Sequence, residues 1–268
     1  MPTPNIAVTM LILLSTCAAI ADPIADPAVS ADVPSFSVGS ASGPQGRTWR
    51  EIARLPDWSG AWGLDDQSFA KVVATSDGPA EIPPFTPAYV KKHRDNVADR
   101  HRGDVGGNNS ANCLPDGMPN IMSVPFAFEF LFTPGRVTII PENNEVRRIY
   151  TDGRSHNPDP DLSFEGDSIG YWDHNTLVVD TIALNPRAEL FVGVKVTKHT
   201  HVIERIFRKD RSTLQIDTTV IDGIMFTRPY QYTRTYKFAP TGMMQVFCTE
   251  NNRDTNNKVD LTPPPLDE

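Results

Sequence analysis

The chain has 268 residues, a formal charge of −8 and 39% hydrophobic residues, room for one large β domain or two small ones. That acidic balance counts against a nucleic-acid partner, because phosphate binding needs a basic stripe that releases counterions. A Gly-rich phosphate loop, a nucleophile elbow and a Cys-x-x-Cys pair are all missing from the sequence, which argues against nucleotides, serine-hydrolase chemistry and structural zinc.

Ile6 to Ala21 is an apolar run too short to span a bilayer with margin, and it ends in the small-x-small pattern Ala19-Ile20-Ala21. It reads as an export signal over residues 1–21, although the first basic residue is Arg47. Leu14-Ser15-Thr16-Cys17 resembles an acylation site with an atypical Thr, so ordinary cleavage is ranked above a lipid anchor. The expected location is the periplasm or the exterior, with no membrane contact after the signal is removed. Residues 22–47, rich in Ala, Pro, Ser and Asp, read as a flexible linker. Once Cys17 has left, Cys113 and Cys248 remain, and in an oxidising compartment they most simply form a disulfide.

The domain is expected to begin near Thr48. Leu55 to Trp62 (LPDWSGAW) is a turn entering a strand, and Thr86-Pro87 is an N-cap with proline in the first turn of a helix over Ala88 to Arg102. The helix carries the basic residues Lys91, Lys92, His93, Arg94, Arg100, His101 and Arg102, which read as a solvated face. Gly103 to Ser110 is a polar loop, and the Pro-punctuated Cys113 to Pro125 suits a lid over an opening.

Residues 126–252 then alternate polar and apolar with strand periodicity. Strands are predicted at Phe126–Thr133, Arg136–Glu142, Glu145–Asp152, Ser168–Asp173, Thr176–Leu184, His199–Lys209, Thr213–Ile221, Tyr230–Ala239 and Met243–Glu250, separated by recognisable turn chemistry. The fold class is mainly β: an antiparallel up-and-down barrel of 8–9 strands with residues 48–125 as its first strand, helix and loop extension. A two-sheet sandwich satisfies the same pattern. Residues 253–268 read as a disordered tail.

Two resemblances follow from these segments. Gly60-x-Trp62 ahead of a β-meander resembles the opening strand of calycin (lipocalin-like) barrels, in which the Gly allows close approach and the Trp plugs one end. The blocks CLPDGMPNIM (113–122), FEFLFTPGRV (128–137), RRIYTDGRSH (147–156), GDSIGYWDHNTLVVDT (166–181) and HVIERIF (201–207) resemble the signature of a large uncharacterised family of secreted bacterial proteins. That resemblance implies export and a single domain, and it nominates Asp152, Gly153, Arg154, His156, Asp180, His201 and Glu204. Where the family reads Trp-Glu-Gly-Asp, this chain has Trp172-Asp173-His174-Asn175, so His174 reads as a turn substitution.

Among chemistry-bearing residues, Asp152, Arg154 and His156 bring an acid, a cation and an imidazole to one strand end, which is equipment for acid–base work. The bland alternative is a turn in which Arg154 pairs with a neighbouring acid. On the strand from His199, alternation places His199, His201, Ile203, Arg205 and Phe207 on one face and Thr200, Val202, Glu204 and Ile206 on the other. His199 and His201 are a weak alternative as metal ligands. Tyr230, Tyr232, Arg234, Tyr236 and Phe238 form an aromatic stripe with a central cation, equally suited to a cavity lining or to core. Asp180, in an apolar strand, needs a partner, which Arg205 or Arg234 could supply.

The expectation is an exported, cofactor-independent lyase, isomerase or hydratase acting on a hydrophobic or aromatic, oxygen-bearing small molecule inside the barrel. His156 and His201 would transfer protons, Asp152 would orient an imidazole, and Arg154 would stabilise negative charge. Trp172, Asp180, Arg205, Tyr230, Tyr232 and Arg234 would contact the substrate. The alternative is a periplasmic binding or carrier protein without catalysis.

Overall fold

The computed structural model describes residues 41–77, 83–104 and 107–248. The expected signal, most of the linker and the tail lie outside them. The helices are α1 (Trp49–Ile52), α2 (Asp66–Asp77) and α3 (Pro87–His101). The strands are β1 (Ala61–Leu64), β2 (Phe128–Thr133), β3 (Arg136–Pro141), β4 (Arg147–Tyr150), β5 (Asp167–Asp173), β6 (Thr176–Ile182), β7 (Glu189–Phe191), β8 (Val194–Lys195), β9 (His201–Asp210), β10 (Thr213–Ile221) and β11 (Tyr230–Ala239). Among the described residues, nine strands close a barrel in the order β1-β11-β10-β9-β6-β5-β4-β3-β2, and β7-β8 forms a separate hairpin. This mainly β architecture is compatible with a calycin-like barrel, and its closure removes unpaired sheet edges.

The closure rests on β1, which pairs antiparallel with both β11 and β2 through Trp62↔Phe238 and Trp62↔Phe128. Gly60 just before it has φ +94, and a Cβ there would lie 2.4 Å from the Phe238 ring, so the close approach requires glycine. Trp62 is fully buried, and its Nε1 donates to Trp58 O at 3.0 Å. Trp58, Trp172, Phe130 and Phe132 pack together at one end of the barrel with ring centroids 4.8–5.8 Å apart.

The structure departs from the sequence reading in five places. The β4–β5 pair is parallel (Ile149↔Ser168, Tyr150↔Ile169), because the long connection from Thr151 to Gly166 carries the chain back before β5 begins. No strand forms over Met243–Phe247, since β1 already occupies the free edge of β11. That segment is held instead by Glu142, which accepts from Met244 N at 2.7 Å through Oε1 and from Val246 N at 3.1 Å through its carbonyl. The tether brings Cys248 to Cys113, and the two form the expected disulfide.

Residues 41–47, expected within the linker, are seated on β5. The Gln45 amide exchanges hydrogen bonds with Trp172 N and O, both at 2.9 Å, acting as a short length of strand. Cys113 to Pro125 is no lid: Met118, Ile121 and Met122 are buried in the main core, and the Tyr236 hydroxyl donates to Met122 O. Finally, α2 and the β7–β8 hairpin were not anticipated.

Thr86 and Pro87 start α3 as predicted, and Tyr89 and His93 seat one helix face against Phe85 and Phe191. The opposite face is solvated, with Lys91 bound to Asp95 at 2.6 Å. No helix among the described residues is long and apolar enough to cross a membrane.

Candidate functional site

Register decides which side chains meet. Across β6 and β9, Val179 faces Glu204 and Thr181 faces Val202, all inward, whereas Asp180 stands opposite Ile203 on the outer face shared with His201. The His201 Nε2–H donates to Asp180 Oδ1. The connection after β4 lies over this wall and delivers His156, whose Nε2 is 3.7 Å from Asp180 Oδ2 and whose Nδ1 is 2.9 Å from Asp167 Oδ2. A continuous array results: Asp167, His156, Asp180, His201.

Asp180 is only 3% exposed, while the two imidazole side chains are 18% and 14% exposed. Burial would depress the pKa of His156, but the Asp180 and Asp167 carboxylates outweigh it and hold the imidazole above its ordinary value. Burial would likewise raise Asp180, and the two imidazoles outweigh that and hold it below the usual carboxylate value. At 3.7 Å, His156 Nε2 is beyond hydrogen-bond reach, and this buried nitrogen has no hydrogen bond to any described residue. Its attraction to Asp180 is therefore electrostatic, an ion pair when the ring is protonated. On His201, Nδ1 makes no hydrogen bond among the described residues, which leaves that nitrogen available to a reactant.

Asp152 and Arg154 do not join this array. They pair with each other at 2.6 Å across the exposed turn, and Arg154 stacks on Tyr150 at 3.9 Å. The local pairing, two residues apart, satisfies both charges, so the role of holding an imidazole falls to Asp167 and Asp180 instead of Asp152. Asp180 likewise finds its partners in the histidines and neither in Arg205 nor in Arg234. Arg205 points outward, 3.5 Å from Asp173. His199 sits on a turn pinned by Thr197 and Thr200, both bonded to Asp222 at 2.6 Å, so β9 begins at His201. Among the described residues no group of three or more His, Cys, Asp or Glu is arranged to hold a metal ion. His174 has φ +55 and lies on the exposed β5–β6 turn, as a turn substitution should.

The inward face carries a second constellation. Arg147 grips Glu204 through both nitrogens, with Nη1 to Oε1 at 3.2 Å, and also donates to Thr181 Oγ1 at 3.1 Å. Both charged side chains are 1% exposed. Tyr230, Tyr232, Arg234 and Tyr236 face inward opposite Val220, Thr218, Ile216 and Leu214. Trp172 is buried against Trp58 in the aromatic end of the barrel. The histidines expected in this interior are therefore outside it, on the far side of the wall.

Sequence reasoning missed Arg147 as the partner of Glu204, and it missed Asp167. A signal for the first existed: Arg147 and Glu204 each interrupt an apolar strand face, as buried partners do. Asp167 follows a loop with no periodicity and left none. A third polar group also escaped notice: the Glu145 carboxylate accepts from Asp116 N and Gly117 N at 2.9 and 3.0 Å, and the Asp116 carboxyl lies near Glu189 and its partner Lys195. Two open clefts of about 320 and 520 Å³ lie against Trp58 and against Glu142, away from the histidines.

No protein-family model matches the chain, and no curated protein matches it.

Proposed function

We propose that the protein is an exported lyase, isomerase or hydratase that moves protons on a hydrophobic, oxygen-bearing small molecule, and that His201 makes the transfer on the outer wall of the barrel. The observation that carries this reading is the buried Asp180 carboxylate, bound to His201 through one oxygen and facing His156 across the other. By accepting the Nε2–H of His201, Asp180 fixes the tautomer in which Nδ1 carries a lone pair. The Nδ1 lone pair takes a proton from substrate, the buried carboxylate stabilises the imidazolium so formed, and the proton returns at a neighbouring atom. His156, held between two carboxylates, keeps Asp180 in place and ionised.

Export draws on the signature blocks that resemble a secreted bacterial family and on the Cys113–Cys248 disulfide, a bond that persists in oxidising compartments. The rival reading, a carrier that holds its ligand in the barrel, depends on other residues.

The experiment is proton exchange in D₂O. A panel of small ketones, enones and hydroxyketones is followed by NMR for loss of the hydrogen next to the carbonyl. The wild type should exchange at least one of them catalytically, and His201→Ala should lower the rate by about 100-fold or more, the usual contribution of a positioned acid–base group. Equal rates in both proteins would refute the assignment.

A further inference from the structure

Among the described residues, Arg147, Arg234 and Glu204 bring two guanidinium groups and one carboxylate to the barrel interior, and the carboxylate is fully engaged by Arg147. Arg234 is 7% exposed, yet its partners are neutral: Ser123 Oγ at 3.3 Å, Thr233 O at 3.3 Å and the Tyr232 ring at 4.5 Å. Its Nη2 makes no hydrogen bond, and no carboxylate lies within ion-pair distance of it, among the described residues. Arg147 Nε is fully buried and has no hydrogen-bond partner among the described residues. Removing a cation from water without a counter-charge costs several kcal/mol. The interior thus holds one uncompensated positive charge and an orphaned donor.

We propose that the inward face of β11 binds a flat aromatic molecule carrying a single carboxylate, which Arg234 receives while the ring lies along Tyr230 and Tyr232. One net charge calls for a monoanion, and the planar guanidinium matches a carboxylate in two-point contact. Tyr230 and Tyr232 face inward and pack against the core, yet each keeps accessible surface where the neighbouring Tyr236 keeps almost none, so these two rings are the part of the stripe that solvent reaches. Their rings stand 5.2 Å apart and tilted, a ready wall for a third aromatic ring. Burial raises the hydroxyls of Tyr232 and Tyr236 well above the ordinary tyrosine value, so both meet an anion as neutral O–H groups. This site shares no residue with the histidine array and lies on the opposite face of the wall.

The test uses the full chain with its disulfide intact and a matched pair of probes, cinnamate and cinnamamide, which have similar shape but differ in charge. Titration calorimetry on the wild type should show cinnamate bound about tenfold or more tighter than cinnamamide. In Arg234→Gln that preference should shrink to within about twofold, and in His201→Ala it should remain. Where Arg234→Gln loses its near-ultraviolet circular dichroism, Arg234→Lys serves in its place and should retain the preference for the anion. Equal affinity for the two probes, binding of neither, or an undiminished preference in a folded Arg234→Gln would each overturn the proposal. Because His201→Ala is expected to lose exchange while keeping this binding, failure here is distinguishable from failure of the catalytic reading.

Discussion

Asp180 and Glu204 lie on adjacent, directly paired strands, one register step apart, yet they face opposite sides of the barrel wall: Asp180 outward opposite Ile203, Glu204 inward opposite Val179. Each is a buried carboxylate, and each is neutralised by a different kind of partner. Two imidazoles attend Asp180, and a guanidinium binds Glu204. One pair of strands therefore supports two chemically separate centres.

Breaking the inner pair should be costly. Glu204→Gln leaves Arg147 charged, buried and uncompensated, and should lower stability by about 3–5 kcal/mol in urea titration. The double variant Arg147→Met with Glu204→Leu removes both charges and should recover most of that loss, because the desolvation penalty disappears with them.

The polar group under the buried 113–125 segment sets a pH dependence. Burial pushes Glu145 up to about 7 from 4.5, with Asp116 and Glu165 adding to it, and pushes Asp116 up to about 6 from 3.8, with Glu189 adding to it. Groups whose folded values are raised bind more protons when folded, so their contribution to stability is present below the unfolded values and falls as pH rises through the folded ones. Stability from these two carboxyls should decline between about pH 4 and 7. Glu145→Gln, which cannot ionise, should flatten that decline in urea titrations run across this range.

Backbone demands at Gly117 give a local test. Its φ is +70, and an added Cβ would stand 2.7 Å from both Phe164 O and the Ala188 Cβ. Gly117→Ala should cost about 2–4 kcal/mol, combining left-handed strain with overpacking. Gly63→Ala on β1, where a Cβ meets nothing within 4 Å, is the control and should change thermal stability little.

The disulfide joins residues 135 apart in sequence. In the chain-entropy model a loop of that length stabilises by about 4–5 kcal/mol. Replacing Cys113 and Cys248 by Ser should remove that much, read as a lower urea midpoint that added reductant does not shift further.

Period-two alternation and turn chemistry located most of the barrel strands, because both are local properties of sequence. Alternation also sorted β9 correctly into a His201 face and a Glu204 face. It could not say which face was inside, since each carries apolar residues: Ile203 and Phe207 on one, Val202 and Ile206 on the other. That ambiguity moved the imidazoles from the expected interior to the outer wall. The Asp152–Arg154 pair was misassigned for the opposite reason, as two residues in one tight turn satisfied each other and needed nothing distant. The 113–125 segment carries apolar residues between prolines, a composition common to lids and plugs, and only the core contacts of Met118 and Met122 distinguish them. The closing role of β1 was legible only through Gly60 and Trp62, since four residues are too few for periodicity to speak.

The most direct test of the account is a histidine-resolved NMR titration of the wild type beside Asp180→Asn. If one buried carboxylate attends both imidazoles, His156 titrates above an ordinary imidazole in the wild type, and its midpoint falls in the variant as that attraction is lost while Asp167 remains. A His156 midpoint at or below the ordinary value in the wild type, or one unchanged by Asp180→Asn, would contradict it.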